Sequence, residues 1–216
     1  MKLFTHASPS HEQLLQSYLL PSTTEFTDVI IGRAPQAAAA EFGDPAWGRN
    51  TVHKALTMRR AVRECPDFVV WADADVVFLR PSIDRLLECL GPHDIACQDD
   101  GGVLCSGLWI ARCSVVTQTL FDCVCQDGSF YRGQATTDQA ALNHYIKQLR
   151  VSAVALPLDE FASAGYCHGT WNEWDGKPFT LPPTVRVFHA NWCRGIPNKT
   201  RLLAMATESR TTARAS

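Results

Sequence analysis

Asp73-Ala74-Asp75 interrupts an apolar run, with Phe68-Val69-Val70-Trp71-Ala72 before it and Val76-Val77-Phe78-Leu79 after it. On one strand, residues two apart share a face and lie roughly 6.6 Å apart, from a rise of about 3.3 Å per residue. Two carboxylates that close, at the end of an apolar strand, repel each other, and an unpaired buried charge costs several kcal/mol. Something positive must sit beside them. Lys or Arg could supply it, and a divalent cation suits two oxygen donors. In open α/β sheets, ligands collect beyond the carboxyl ends of strands. The plain alternative is a turn carrying two solvated acids.

A second constellation lies near the C-terminus. Val185-Arg186-Val187-Phe188 reads as a strand that delivers His189, followed by Asn191, Trp192, Gly195 and Lys199. A neutral imidazole is a good third ligand for the same cation. Lys199 could neutralise a phosphate as a point charge. The alternative is a structural histidine.

The third is Thr136-Thr137-Asp138-Gln139-Ala140-Ala141-Leu142-Asn143. Thr137 fits an N-cap, which places Asp138 and Gln139 in the first helical turn. The helix dipole alone favours an acid there; the functional reading has both side chains projecting into a cleft. In His168-Gly169-Thr170-Trp171-Asn172-Glu173-Trp174-Asp175-Gly176, two tryptophans could form a platform for sugar rings, or pin a loop to the core. Trp47 could play either part.

The elements that must position these residues alternate in type. Short apolar runs predict strands near 2–5, 29–31, 68–72, 76–79, 94–97, 107–111, 151–156 and 185–188. The run at 68–72 suits a strand buried on both faces of a parallel sheet. Helical periodicity predicts helices from Ser8-Pro9 to Pro21, over about 50–64, from a Ser82 cap to Gly91, over 114–125, and over 137–149. Residues 33–48 read as loop, and the polar stretch from Thr207 as a frayed tail. The alternation predicts an α/β fold with one domain over 1–206 and a tail at 207–216.

Composition narrows the function. The chain has 216 residues, 46% of them hydrophobic and 19% charged, an ordinary globular balance. Twenty Lys and Arg against 22 Asp and Glu give a net charge of −2, which argues against a nucleic-acid polymer as partner. No run of 18 apolar residues exists, so no transmembrane segment is expected. Met1-Lys2-Leu3-Phe4-Thr5-His6 has no signal-peptide character. Nine cysteines, an odd number with no CxxC pair, read as mostly reduced thiols. A cytoplasmic location follows as the expectation, with a Golgi-lumenal domain lacking its anchor as the alternative.

Taken in order, these residues resemble metal-dependent nucleotide-sugar glycosyltransferases of the GT-A fold. The spacing is similar to the glycogenin and lipopolysaccharide-galactosyltransferase group and to plant-type nucleotide-diphospho-sugar transferases. Cys105-Ser106-Gly107-Leu108-Trp109-Ile110 looks like the family's Asn-Ser/Ala-Gly strand, with Cys105 where Asn is usual. The resemblance spans residues 2–203. It implies a Rossmann-like, mostly parallel sheet flanked by helices. It implies Mn²⁺ or Mg²⁺ on Asp73, Asp75 and His189, with Asp73 also reaching the ribose. It implies a UDP- or GDP-sugar whose base is cradled by Thr5 and His6. Lys199 would hold the diphosphate, Lys54 would lie near the donor phosphate or sugar, and Asp138 and Gln139 would face the transferred sugar.

The reaction so implied moves a hexosyl or pentosyl group to the hydroxyl of a glycan or other acceptor. Asp138-Gln139 points to retention of configuration; if the enzyme inverts, Asp99, Asp100 or Asp138 must act as base. The interval from His189 to Lys199 is longer than in glycogenin, with Gly195 displaced. At this compact length a partner domain or chain could complete the acceptor site. Two rival readings share the motif. One is a haloacid-dehalogenase-type phosphatase with Asp73 as nucleophile; the other is a non-catalytic domain that binds sugar nucleotides or glycans.

Overall fold

The computed structural model describes residues 1–33, 47–131, 137–169, 171 and 173–215. Among these described residues, nine strands form two sheets: β1 (Lys2–Ala7), β2 (Asp28–Arg33), β3 (Phe68–Ala72), β4 (Val76–Phe78), β5 (Ile95–Asp99), β6 (Leu104–Arg112), β7 (Ala153–Leu156), β8 (Phe161–Ser163) and β9 (Val187–His189). The larger sheet has the order β2-β1-β3-β6-β5-β7 and the smaller β4-β9-β8. The helices are α1 (Trp47–Glu64), α2 (Ile83–Leu90), α3 (Val115–Gln126), α4 (Asp138–Gln148), α5 (Ala164–Cys167) and α6 (Ile196–Ala215), preceded by an irregular helical segment at 9–22.

The fold is α/β, as the alternation of elements predicts, and the central sheet is mostly parallel. Strand β3 pairs parallel with β1 on one side and antiparallel with β6 on the other. The nearly unbroken apolar run of β3 follows from burial on both faces. Trp71 and Phe4 face one way with Trp109 and Phe121, under α1, α3 and α4. Val70 and Leu3 face the other way with Leu108, Leu86 and Leu90, under α2 and the segment at 9–22. The β3–β6 register sets Trp71 opposite Trp109, and their rings stack 5.9 Å apart at 8°. A third cluster packs Leu202, Leu203 and Ala206 of α6 against Val77 and Phe188 of the small sheet.

Several boundaries differ from the sequence reading. Helix α1 begins at Trp47 rather than near 50, and the rest of the expected loop, 34–46, lies outside the described residues. Ser82 makes no side-chain cap on α2; the Glu25 carboxylate takes its place, accepting from the backbone N–H of Ser82 at 2.8 Å and of Ile83 at 3.0 Å. Strands β6 and β5 are longer than expected, and β9 is set two residues later than the predicted strand at 185–188. Strand β8 and the helix from Ile196 were not anticipated, and that helix continues through Thr207, where a tail was expected. The predicted cap at Thr137 is present, and α3 is capped by Ser114 in a reciprocal box with Thr117. All nine cysteines are free thiols. Burial pushes the Cys97 and Cys105 thiols up, so both behave as small apolar groups. No helix among the described residues is long and apolar enough to cross a membrane.

Candidate active site

Asp73 leaves β3 with its N–H donating to the Gly107 carbonyl at 2.7 Å, and Val76 N–H returns to the Asp73 carbonyl at 3.1 Å. The two acids therefore flank a turn, where the sequence reading had them on one face of a single strand. That turn carries the chain from the large sheet into β4 of the small one. Strand β4 pairs antiparallel with β9, Val76 opposite His189, and Ala190 N–H donates to the Asp75 carbonyl at 2.9 Å. Local turn and distant strand thus bring Asp73, Asp75 and His189 together, one ligand atom from each lying within 4.8 Å of the others. Asp75 and His189 are buried, and Asp73 is partly exposed.

Two lysines enter from opposite sides. Lys54 of α1 donates to Asp73 Oδ2 at 2.7 Å and pairs with Asp138 Oδ2 at 2.9 Å. Lys199 of α6 pairs with Asp75 and donates to the Ala190 carbonyl at 3.0 Å. Burial alone would lower the Lys54 pKa, but Asp138 and Asp73 outweigh it and hold the ammonium raised. Burial would raise the Asp75 pKa; the neighbouring charges, Lys199 foremost, outweigh it and hold the carboxylate well below its usual range. The Trp71 indole donates to Asp73 Oδ1 at 2.9 Å, so both oxygens of Asp73 are engaged.

Beyond Lys54, Ser106 N–H donates to Gln139 Oε1 at 3.3 Å, and Gln139 Nε2 donates to Asp100 Oδ2 at 3.0 Å. Asp100 Oδ1 accepts from Asn191 Nδ2 at 2.8 Å and Trp192 Nε1 at 2.6 Å. Trp192 adopts a left-handed backbone at φ 55°, and these bonds hold it there. Trp171 meets the Trp192 ring edge-on at 5.8 Å and lies against Gly101 and Gly165. Trp174 is different: it is buried, donates to the Lys177 carbonyl at 2.8 Å and pins its loop to the third core cluster. Of the two tryptophans in that segment, only Trp171 stands at the surface. The Trp47 side chain lies outside the described residues.

The site gathers four carboxylates, Asp73, Asp75, Asp100 and Asp138, against two ammonium groups, Lys54 and Lys199. Two negative charges remain in a largely buried setting. A divalent cation fits both that deficit and a donor set of two carboxylates and an imidazole.

The remaining predicted positions are more peripheral. Thr5 is fully buried, with no hydrogen-bond partner for its hydroxyl among the described residues. His6 accepts from or donates to Thr57 Oγ1 through Nδ1 at 3.2 Å. Burial, aided by Lys54, lowers the His6 pKa to about 4. The unfolded chain titrates near 6.5. As pH falls from about 6.5 toward 4, the unfolded state takes up a proton that the folded state refuses, so stability falls. His6→Gln is expected to flatten this acid limb in melting temperature measured against pH; equal slopes in the two proteins would refute the assignment.

Sequence reasoning missed or undervalued four neighbours. Gln98, just past the predicted strand at 94–97, was given no role, and Asp100 was considered only as a base for inversion. Gly107 was noted in the strand resemblance, but a Cβ there would lie 2.3 Å from His189 Cε1; a glycine inside an apolar strand is the signal for such close approach. His11 bonds Ser10 and Ser8 through Nδ1 at 3.0 and 3.2 Å. Burial lowers its pKa against the pull of Asp75, which places it in the field of the acid cluster.

A sequence profile of the nucleotide-diphospho-sugar transferase family matches residues 34–203. No curated protein sequence matches the chain. Among solved structures, the chain is similar to a glycosyltransferase involved in the glycosylation of the major capsid of PBCV-1. The TM-score is 0.65 at 7% identity, over 94% of this chain and 98% of that one. It is also similar to the glycosyltransferase GlyE of Streptococcus pneumoniae TIGR4, with a TM-score of 0.57 at 12% identity, over 94% of this chain and 59% of that one. The bifunctional glycosyltransferase WbbM gives 0.54 at 11% identity, over 88% of this chain and 45% of that one. These likenesses establish the fold, and the profile, which covers most of the chain, establishes the kinship: the protein belongs to the nucleotide-diphospho-sugar transferase family.

Proposed function

We propose that the protein is a metal-dependent glycosyltransferase that moves a sugar from a UDP- or GDP-sugar to a hydroxyl of a glycan or similar acceptor, with retention of configuration. The observation that carries this reading is the convergence of Asp73, Asp75 and His189 between two partly buried lysines. These three residues would hold Mn²⁺ or Mg²⁺, which when bound supplies charge neutralisation at the departing diphosphate. Lys199, the counter-ion of Asp75, would contribute its charge to the diphosphate. Lys54 bonds both Asp73 and Asp138 and fixes their side chains, and Asp138 and Gln139 would face the transferred sugar.

Retention is supported by the state of the carboxylates that inversion would use as base. Asp100 accepts three hydrogen bonds, Asp138 is paired with Lys54, and Asp99 accepts from Gly102 N–H at 2.7 Å. With these three engaged, the leaving phosphate is the group we assign to take the acceptor proton. The paired oxygens of Asp73, together with the family, speak against its acting as a phosphatase nucleophile.

Thermal unfolding with UDP, GDP and their sugars, each with and without Mn²⁺, tests the reading. One nucleoside diphosphate at about 100 times its Kd is expected to add about 2.7 kcal/mol, a rise of roughly 5–10 °C, only when Mn²⁺ is present. An equal rise in chelator would overturn the metal role. Binding with neither donor hydrolysis nor transfer would favour a non-catalytic domain, and rapid hydrolysis of a generic phosphate ester a phosphatase.

A further inference from the structure

Gln98 is a fully buried polar side chain. It lies on β5, where the ladder to β6 slips between Cys97 and Asp99. Bulges of this kind re-aim a side chain, commonly beside an active site. Here the carboxamide bridges the two sheets. Its Nε2 lies 3.0 Å from the Phe161 carbonyl on β8, and its Oε1 lies 2.9 Å from His189 Nδ1 on β9.

The direction of this bridge follows from donor and acceptor chemistry. A backbone carbonyl only accepts, so the amide nitrogen must face Phe161. The amide oxygen then faces His189, and because it too only accepts, Nδ1 must carry the hydrogen. A neutral imidazole protonated at Nδ1 has its lone pair on Nε2. That atom lies 3.4 Å from Asp75 Oδ1, within the acid cluster. A lone pair facing a carboxylate oxygen is an arrangement that a shared cation resolves. The other neutral tautomer would place a hydrogen on Nε2 and close that coordination position. Cys105 Sγ, at 3.8 Å from Nδ1, is the more distant and weaker partner.

We propose that Gln98 is a positioning residue that holds His189 in the Nδ1–H tautomer and so presents Nε2 to the cation. This rests on the metal reading above. Outer partners of this kind govern metal affinity by about 10–100-fold.

The test has two arms. In the metal-free protein labelled with ¹⁵N-histidine, at a pH where the imidazole is neutral, the His189 nitrogen shifts are expected to report hydrogen on Nδ1 and none on Nε2. The Nε2–H tautomer there would overturn the proposal without any variant being made. In the second arm, Mn²⁺ binding is measured by calorimetry. Gln98→Met keeps the volume and removes the acceptor; it is expected to weaken Mn²⁺ by about 10–100-fold and to move His189 toward the Nε2–H form. Gln98→Glu restores an acceptor at Nδ1 and is expected to recover the tautomer. A folded Gln98→Met with wild-type Mn²⁺ affinity and unchanged nitrogen shifts overturns the positioning role while the metal reading stands. Wild-type protein that takes up no Mn²⁺ overturns both.

Discussion

Asp75→Asn is expected to leave the fold in place and to reduce sugar transfer by about 10³-fold or more, the loss of several kcal/mol of charge stabilisation at the leaving group. The substitution preserves shape. It removes the most buried anionic member of the ligand set, and with it the charge that holds Lys199. The backbone of residue 75 is untouched, so the Ala190–Asp75 bond that joins β9 to the turn persists. Lys199 keeps its bond to the Ala190 carbonyl, and an asparagine oxygen can still accept from it. The cost to stability is therefore about 1–3 kcal/mol, visible as a lower but cooperative melt. Calorimetry should show Mn²⁺ uptake lost in parallel with turnover. A variant that melts normally and turns over at the wild-type rate would remove the ion from the mechanism.

Gly107→Ala should have the next largest effect, and through a different cause. A methyl group at this position would lie 2.3 Å from His189 Cε1 and 2.9 Å from Asp73 Oδ2. No real Cβ tolerates the first distance. The imidazole cannot retreat easily, because Gln98 holds its far side and the β4–β9 ladder holds its backbone. Accommodation must come at the expense of ligand geometry. Overpacking of this sort costs about 1–3 kcal/mol of stability. Affinity for Mn²⁺ should fall by about 100-fold or more, since two of the three ligands are displaced together. Isothermal titration against a wild-type control measures this directly, and an unchanged Kd would show that the glycine matters only to the strand.

The residues legible in the sequence are those whose signal is local. The apolar run of β3 and the Thr137 cap with Asp138 behind it are readable from a few neighbours each. The strand that delivers His189 was also found, though placed two residues early. Illegible features depend on partners far along the chain. Glu25 caps α2 from 57 residues away, so the Ser82 signal was misleading. The bulge at Gln98 exists only against β6, and Gln98 meets His189 across 91 residues. The turn at 73–76 defeated the period-two argument because pairing of β4 with β9, not pleat, decides where Asp75 points. The partners of Lys54 were illegible for the same reason: its position on α1 was legible, but its pairing with two acids depends on the docking of α1 against β3 and α4.

The small sheet has a consequence for biosynthesis. Lys199 stands 124 residues beyond Asp75, and His189 comes only ten residues before Lys199. During vectorial synthesis the acid pair and its first ammonium leave the ribosome long before the imidazole exists. On the metal reading, an ion could be captured only after β9 has emerged, and a polypeptide terminated before β9 would carry the acids without His189 or Lys199.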